Sequence, residues 1–372
     1  MNKRAYAYVA AAAVLFGLSA PLSKILVRGI SPVALAGLLY LGAFLGLSIF
    51  AGVRRLFAPA RTHSRSGDPL RGHDFAWLGG AVLTGGVLGP ICLLAGLARI
   101  SGTSASLLLN LEGVATALIA VLVFGENAGR RVWIALALMT GAGIVLSWDP
   151  GQGRFEIAGS LLVAAAMVFW GLDNNFTRHI ADRDPLLIAR VKGLVSGSFS
   201  LLLALGLGLR IPHDAALLWG LVLGAFSYGL SLVLYIYGLR HLGAFRAGAF
   251  FSLAPFIGAL VALAVLPEPA RWVLLPGAAL MALGVALLAG ERHEHHHRHE
   301  RLVHNHAHVH ADGHHRHDHA GRPAPESAHS HEHAHEEVDH THGHWPDLHH
   351  RHDHAEQDQS APAQSPSKET AS

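Results

Sequence analysis

Long apolar runs alternate with short polar breaks along most of this chain. A helix needs roughly 20 mostly apolar residues to cross a bilayer. Ten runs of that kind are legible, at about 6–27, 33–53, 75–96, 103–124, 130–148, 156–177, 186–209, 215–237, 245–266 and 271–290. They predict an all-α polytopic membrane protein of ten transmembrane helices. Gly and other small residues recur inside the runs. In lipid no hydrophobic effect drives helices together, so small residues that let backbones approach are the expected packing positions. After Gly290 the pattern stops, and 291–372 is polar and His-rich.

The apolar pattern also repeats. Val14 to Lys24 reads VLFGLSAPLSK, and 154 positions later Val168 to Arg178 reads VFWGLDNNFTR. Phe16-Gly17 returns as Trp170-Gly171, and Ser23-Lys24 as Thr177-Arg178. Ser31-Pro32 opens the second run and Asp184-Pro185 the seventh. Gly96-Leu97 after the third matches Gly238-Leu239 after the eighth, and the register holds to Phe124-Gly125-Glu126 against Leu266-Pro267-Glu268. Runs 1–5 and 6–10 are therefore two copies, which divides the chain into 1–149, 150–290 and the tail 291–372. Five is odd, so the copies enter the membrane from opposite sides. Inverted repeats of this kind are the architecture of secondary transporters, with a site near the midplane between the halves.

Lys and Arg give the orientation. Lys3, Arg4, Arg54, Arg55, Arg61, Arg65, Arg71, Arg130, Arg131, Arg183 and Arg240 fall on one side, against Arg28, Arg99, Arg154, Arg210 and Arg271 on the other. The richer side is expected in the cytoplasm, with both termini, in a multi-pass protein of the inner (cytoplasmic) membrane. Lys3-Arg4 followed by an apolar core resembles a signal peptide, but the same element recurs inside the chain, which argues against cleavage. The mean hydropathy of +0.35 and the 51% hydrophobic content average the apolar runs with the tail, so they understate the first 290 residues. A net charge of +2 with dispersed basic residues gives no reason to expect nucleic acid. The single cysteine, Cys92, excludes an intrachain disulfide and reads as a small hydrophobe.

With ten spans, two inverted copies and a (Phe/Trp)-Gly motif followed by Ser-Lys or Thr-Arg, residues 1–290 resemble the drug/metabolite transporter superfamily, EamA type. Glu126 and Glu268 after spans 4 and 9, and Pro255 in Leu253-Ala254-Pro255, are similar too. The resemblance implies a ten-helix fold and ion-coupled movement, usually export, of small metabolites. One departure stands out. The counterpart of Ala254-Pro255 is Glu112-Gly113, in Asn110-Leu111-Glu112-Gly113, so span 4 carries an acid where span 9 carries Ala.

No catalytic constellation and no phosphate-binding loop is visible, so the chain reads as a transporter and not an enzyme. Ionisable groups inside spans are costly and default to functional candidates. Glu112 is read as a proton carrier or a contact for a cationic substrate, against a carboxylate satisfied by neighbouring helices. Asp173, Asn174 and Asn175 cannot all share one helix face, so some line a wet cavity. Arg190 and Lys192 lie two positions apart in span 7, so one is expected to face the pathway, toward an anionic substrate or Glu112. Lys24 and Arg178 are expected to snorkel to headgroups. Trp170, Tyr40, Tyr228 and Tyr235 are either pathway lining or packing.

The tail holds most of the chain's His, in alternation: His304, His306, His308, His310; His329, His331, His333, His335; and His340, His342, His344. Few large apolar residues accompany them, so the tail is expected to be disordered. Imidazole is a ligand for Zn, Ni and Co, and dense His without fixed spacing reads as a low-specificity metal binder. No cofactor is required. The leading reading is an ion-coupled exporter of a small organic metabolite, an amino acid or related compound, with the lipid bilayer, a small-molecule substrate and transition-metal ions at the tail as partners and a homodimer left open. The alternative is efflux of divalent Ni, Co or Zn with the tail as cytoplasmic collector or sensor. A third reading is a membrane-anchored metal-binding regulator. His63, His73, His179, His213 and His241 all lie in loops or at span ends, which ranks the organic cargo first.

Overall fold

A computed structural model describes residues 3–57, 70–123, 129–149, 154–180, 183–289 and four stretches of the tail. Residues 1–291 and 292–372 form separate units. In the first, all ten apolar runs are helical. Among the described residues seven helices are long and apolar enough to cross a membrane by themselves, from Arg4–Leu26 to Ala215–Gly238. Span 5 is Arg130–Leu146 and span 10 is Leu274–Ala289. Large apolar side chains such as Ile49, Leu122, Leu202, Leu260 and Leu275 remain exposed on the bundle surface. Lipid is the solvent that suits them.

Span 9 departs from the expectation. The break expected between spans 8 and 9 is absent, because one helix runs unbroken from Ser231 to Phe251, and Ala254–Val265 follows it. Its counterpart, the turn between spans 3 and 4, does break. There Ser101 caps the next helix by accepting from the Ser104 N–H at 3.1 Å. Gly243 stands at the matching position and carries no capping oxygen, so nothing stops the helix.

The inverted repeat appears in local geometry as well as in sequence. Each third span contains a seven-residue π-helix, Val82–Leu88 and Gly224–Leu230. They lie 142 positions apart, the offset that relates Gly96 to Gly238. Span 4 breaks at Leu109-Asn110 and the corresponding helix at Ser252-Leu253. Helix packing follows the same symmetry. Span 2 packs on span 7, span 5 on span 10 and span 4 on span 9, while span 1 packs on the Ser231–Phe251 helix as span 6 does on span 3.

The repeated glycines mark the crossings between halves. A Cβ on Gly17 would meet the Ala254 carbonyl oxygen at 2.5 Å, and one on Gly171 would meet the Thr116 nitrogen at 2.9 Å. Thus the first span of each half crosses the fourth span of the other at backbone contact, a distance only Gly permits. A two-residue antiparallel ladder, Trp148 with Phe155 and Asp149 with Arg154, joins the halves in sequence.

The described stretches of the tail are extended. His293–His299 pairs with Val338–His344, and Val303–His308 with His329–Ala334, both antiparallel. The alternation of His is the two-residue period of a strand. His304 lies opposite His333, His306 opposite His331 and His308 opposite His329. His340 and His342 lie opposite His297 and His295, and His344 opposite His293. His310 and His335 lie outside the described residues, as does Glu126.

Candidate functional site

Three helix interruptions frame the centre of the bundle. Span 1 breaks at Leu18, span 4 at Leu109-Asn110 and the Ser231–Phe251 helix at Ser252-Leu253. At the span 4 break the backbone tightens to three-residue spacing, with Asn110 N donating to Leu107 O and Gly113 N to Asn110 O. The half-helix Leu111–Leu122 then begins afresh, and Glu112 lies in its first turn, where a carboxylate suits the positive end of the helix dipole.

Glu112 accepts from the Asn174 amide at 2.8 Å, and the same amide reaches the Thr116 hydroxyl at 3.2 Å. Asn175 donates to the Thr116 carbonyl and to Gly171 O, which ties span 6 to span 4 just beyond their glycine crossing. Asp173 pairs with Lys192 of span 7 and accepts from the Thr177 hydroxyl at 3.1 Å. Of the seven polar residues expected on spans 4, 6 and 7, Glu112, Asp173, Asn174, Asn175 and Lys192 therefore come together. Arg190 does not join them, and its guanidinium donates to the Ser48 hydroxyl of span 2 at 3.2 Å. Asn110, also named from sequence, turns back on its own helix and donates to Leu107 O. Of the two partners open to a cation of span 7, an anionic substrate or Glu112, Lys192 takes neither here and is bound to Asp173.

The π-helix of span 3 supplies the remaining wall. It presents the Gly85 carbonyl to two side-chain donors, the Tyr40 hydroxyl at 2.6 Å and the Trp170 indole N–H at 3.0 Å. A side chain at Gly85 would overlap the Asp173 carboxylate, so the glycine makes room for the ion pair. Sequence reasoning named Trp170 and left Tyr40 between lining and packing. It named Thr177 only as part of the repeated motif and passed over Thr116 and Gly85, whose only sequence signal is a small residue in a span.

Two further polar clusters lie at the ends of the bundle. Lys24 donates to Leu97 O at 2.5 Å and Ile100 O at 2.7 Å, and stands 3.9 Å from Glu268. Glu268 in turn accepts from the Gly102 N–H at 2.8 Å, and Arg271 bonds both oxygens of Glu156. The carbonyls that end span 3 and the Glu268 carboxylate thus hold the Lys24 ammonium. At the opposite end Arg183 donates to Asp74 at 2.8 Å, and the His179 ring stacks on Trp77 at 4.0 Å.

The comparisons agree with this architecture. A solved crystal structure shares the fold at a TM-score of 0.52, with 20% identity, covering 77% of this chain and 96% of its own. A relative from Methanothermobacter thermautotrophicus, described as an uncharacterized transporter, is 30% identical over 285 residues, 71% of this chain and 80% of the relative. The EamA-like transporter family matches twice, over residues 3–148 and 157–290, one match on each copy of the repeat. The chain belongs to the EamA-like transporter family and is a multi-pass membrane transporter.

Proposed function

We propose that the chain is an ion-coupled exporter of a small organic metabolite, an amino acid or related compound, and that Glu112 carries the coupling proton. One observation supports this most directly. Glu112 sits midway along a membrane span, and among the described residues no Lys, Arg or His nitrogen pairs with it; it accepts from the neutral Asn174 amide. A lone carboxyl in an apolar bundle changes its charge at the lowest cost by taking a proton or a cationic ligand. The broken helices and π-helices around it give the backbone freedom for the halves to rock. The Lys and Arg distribution favours the inner membrane with both termini in the cytoplasm.

The test is flux in proteoliposomes holding the full chain and a radiolabelled amino-acid mixture. An imposed pH gradient is expected to drive uptake against concentration. Glu112→Gln is expected to abolish that acceleration. Gradient-independent flux in both proteins overturns the proton role.

A second reading is efflux of divalent Ni, Co or Zn, with the tail collecting metal in the cytoplasm. Among the described residues no group of three or more His, Cys, Asp or Glu is placed to hold a metal ion. A metal path needs such a group at the midplane, so the organic cargo ranks first. Cellular Ni, Co and Zn in cells expressing the full chain, the chain cut at Gly290 and Glu112→Gln decide between them. Metal lowered by the full chain and restored by Glu112→Gln favours metal efflux.

A further inference from the structure

The two halves share a backbone plan but not a chemistry. The repeat registers set Ser19 against Asp173, Leu39 against Lys192 and Ala254 against Glu112. Every charge of the central cluster therefore lies on spans 4, 6 and 7, and among the described side chains the mirror-related wall on spans 1, 2, 8 and 9 has none. That second wall is aromatic. Tyr235 packs on Phe251 with ring centroids 4.7 Å apart, Phe251 on Phe16 at 5.3 Å, Phe16 on Tyr228 at 6.0 Å and Tyr228 on Tyr40 at 5.9 Å. The walls meet at Gly85: its carbonyl accepts from Tyr40 in the aromatic row, and a Cβ on it would overlap the Asp173 carboxylate, next in sequence to the Asn174 that holds Glu112. Tyr40 is held by Gly85 O and Tyr228 by the Ser19 hydroxyl, which fixes both rings.

Among the described side chains the charges of this site do not balance. Asp173 and Lys192 neutralise each other, and Glu112 remains as one negative charge opposite a row of aromatic rings. Ring faces attract cations and exclude anions, and their area favours a flat apolar body. An anionic head group meets repulsion from Glu112, and the cation that would receive it is already bound to Asp173. We propose that the substrate site takes an organic cation, a protonated amine carrying an aromatic or flat apolar body, with the ammonium on Glu112 and the body against Phe16, Tyr228 and Phe251. This rests on the reading of Glu112 as a pathway carboxylate, and it narrows the cargo to a class that the overall fold does not specify.

The test uses three probes with one body and three heads: 2-phenylethylamine, phenylalanine and 3-phenylpropionate. Equilibrium binding to the purified full chain in lipid nanodiscs at pH 7 is expected to favour the amine at least tenfold over the zwitterion, with the anion weakest. Glu112→Gln is expected to weaken amine binding at least tenfold, and Glu112→Asp to retain most of it, which separates loss of charge from loss of fold. Tyr228→Leu is expected to weaken 2-phenylethylamine while leaving ethylamine unchanged. Equal or tighter binding of phenylalanine or phenylpropionate, unchanged amine binding in Glu112→Gln, or no amine binding at all overturns the proposal. Proton-driven flux is read separately. Amine binding without coupled flux removes the proton-exchange reading and leaves the ligand class. Coupled flux of phenylalanine without amine binding does the reverse.

Discussion

Lys24 stands 3.9 Å from Glu268 and ties the end of span 1 to the segment that follows span 9, across the boundary between the halves. Both side chains are largely shielded, at 12% and 16% exposure. Lys24 also fills two carbonyls that end span 3, and Glu268 also holds the Gly102 N–H. The contributions are unequal. Lys24→Met leaves two carbonyls and a carboxylate short of a donor, whereas Glu268→Gln keeps an oxygen for Gly102. Lys24→Met is expected to cost about 2–3 kcal/mol and Glu268→Gln about 1 kcal/mol. Thermal unfolding in detergent checks the order, and the double variant is expected to be little worse than Lys24→Met alone.

At the other end of the bundle the pair of Asp74 and Arg183 is more deeply buried, at 1% and 6% exposure. Asp74 also accepts from Arg71 N at 2.7 Å and touches His73. Arg183→Met removes the guanidinium partner of Asp74, leaves the carboxylate with Arg71 N and His73 alone, and is expected to lower stability. Asp74→Asn together with Arg183→Met removes both charges and is expected to recover much of that loss. Expression level and melting temperature of the two variants measure it.

Much of the bundle was legible in sequence because lipid imposes long apolar runs and inversion imposes a repeat. Pro32 and Pro185, Gly96 and Gly238, and the two glycine motifs carried enough register to expose both. Glu112, Asp173 and Lys192 were legible because a charge inside a span needs a reason. Partner choice was not. Lys192 could have met Glu112 or Asp173 by spacing alone, and only the packing of spans 6 and 7 on the same π-helix of span 3 decides it. The partners of Lys24 are backbone carbonyls, which every residue has, so no letter of the sequence marks them. The unbroken helix from Ser231 to Phe251 turns on a missing cap at Gly243, a weaker signal than the polar break that surrounds it.

Gly17 and Gly171 provide a test of the inversion itself. Each sits where one half crosses the other, with Ala254 O and Thr116 N at the contact. Neither crossing has room for a methyl group beside rigid backbone. Gly17→Ala and Gly171→Ala are expected to destabilise by similar amounts, about 1–3 kcal/mol each, since the two crossings are mirror-related. Melting temperatures that fall for one and not the other would contradict equivalent crossings.

The tail makes a separable prediction. The described ladders set His opposite His at three successive alternate positions between Val303–His308 and His329–Ala334. Directly opposed residues on one face are close enough to share a ligand, and imidazole nitrogen suits Ni, Zn and Cu. Cutting the chain after Gly290 is expected to abolish high-capacity Ni and Zn binding by the purified protein. Proton-driven flux through the bundle is expected to survive the cut. Equilibrium dialysis against each metal, beside the flux assay, reads both arms.

The Asp173–Lys192 pair controls the charge seen by a ligand at Glu112, and its variants therefore have opposite expected signs. Asp173→Asn frees the Lys192 ammonium, and the nearest unpaired acid of the cluster is Glu112. The site becomes neutral, and a second cation must compete with Lys192. At an effective dielectric near 20, two unit charges about 4 Å apart interact by about 4 kcal/mol, so a tenfold loss of amine binding is a modest expectation. Asp173→Asn with Lys192→Met restores one uncompensated carboxylate, and amine binding is expected to return to within about threefold of the parent, an interval well under 1 kcal/mol. A merely structural pair predicts a different order: either single variant would lose stability and binding together, and the double variant would recover both. Measuring melting temperature beside 2-phenylethylamine binding separates the two, because the electrostatic account requires Asp173→Asn to lose affinity while Lys192→Met keeps or gains it.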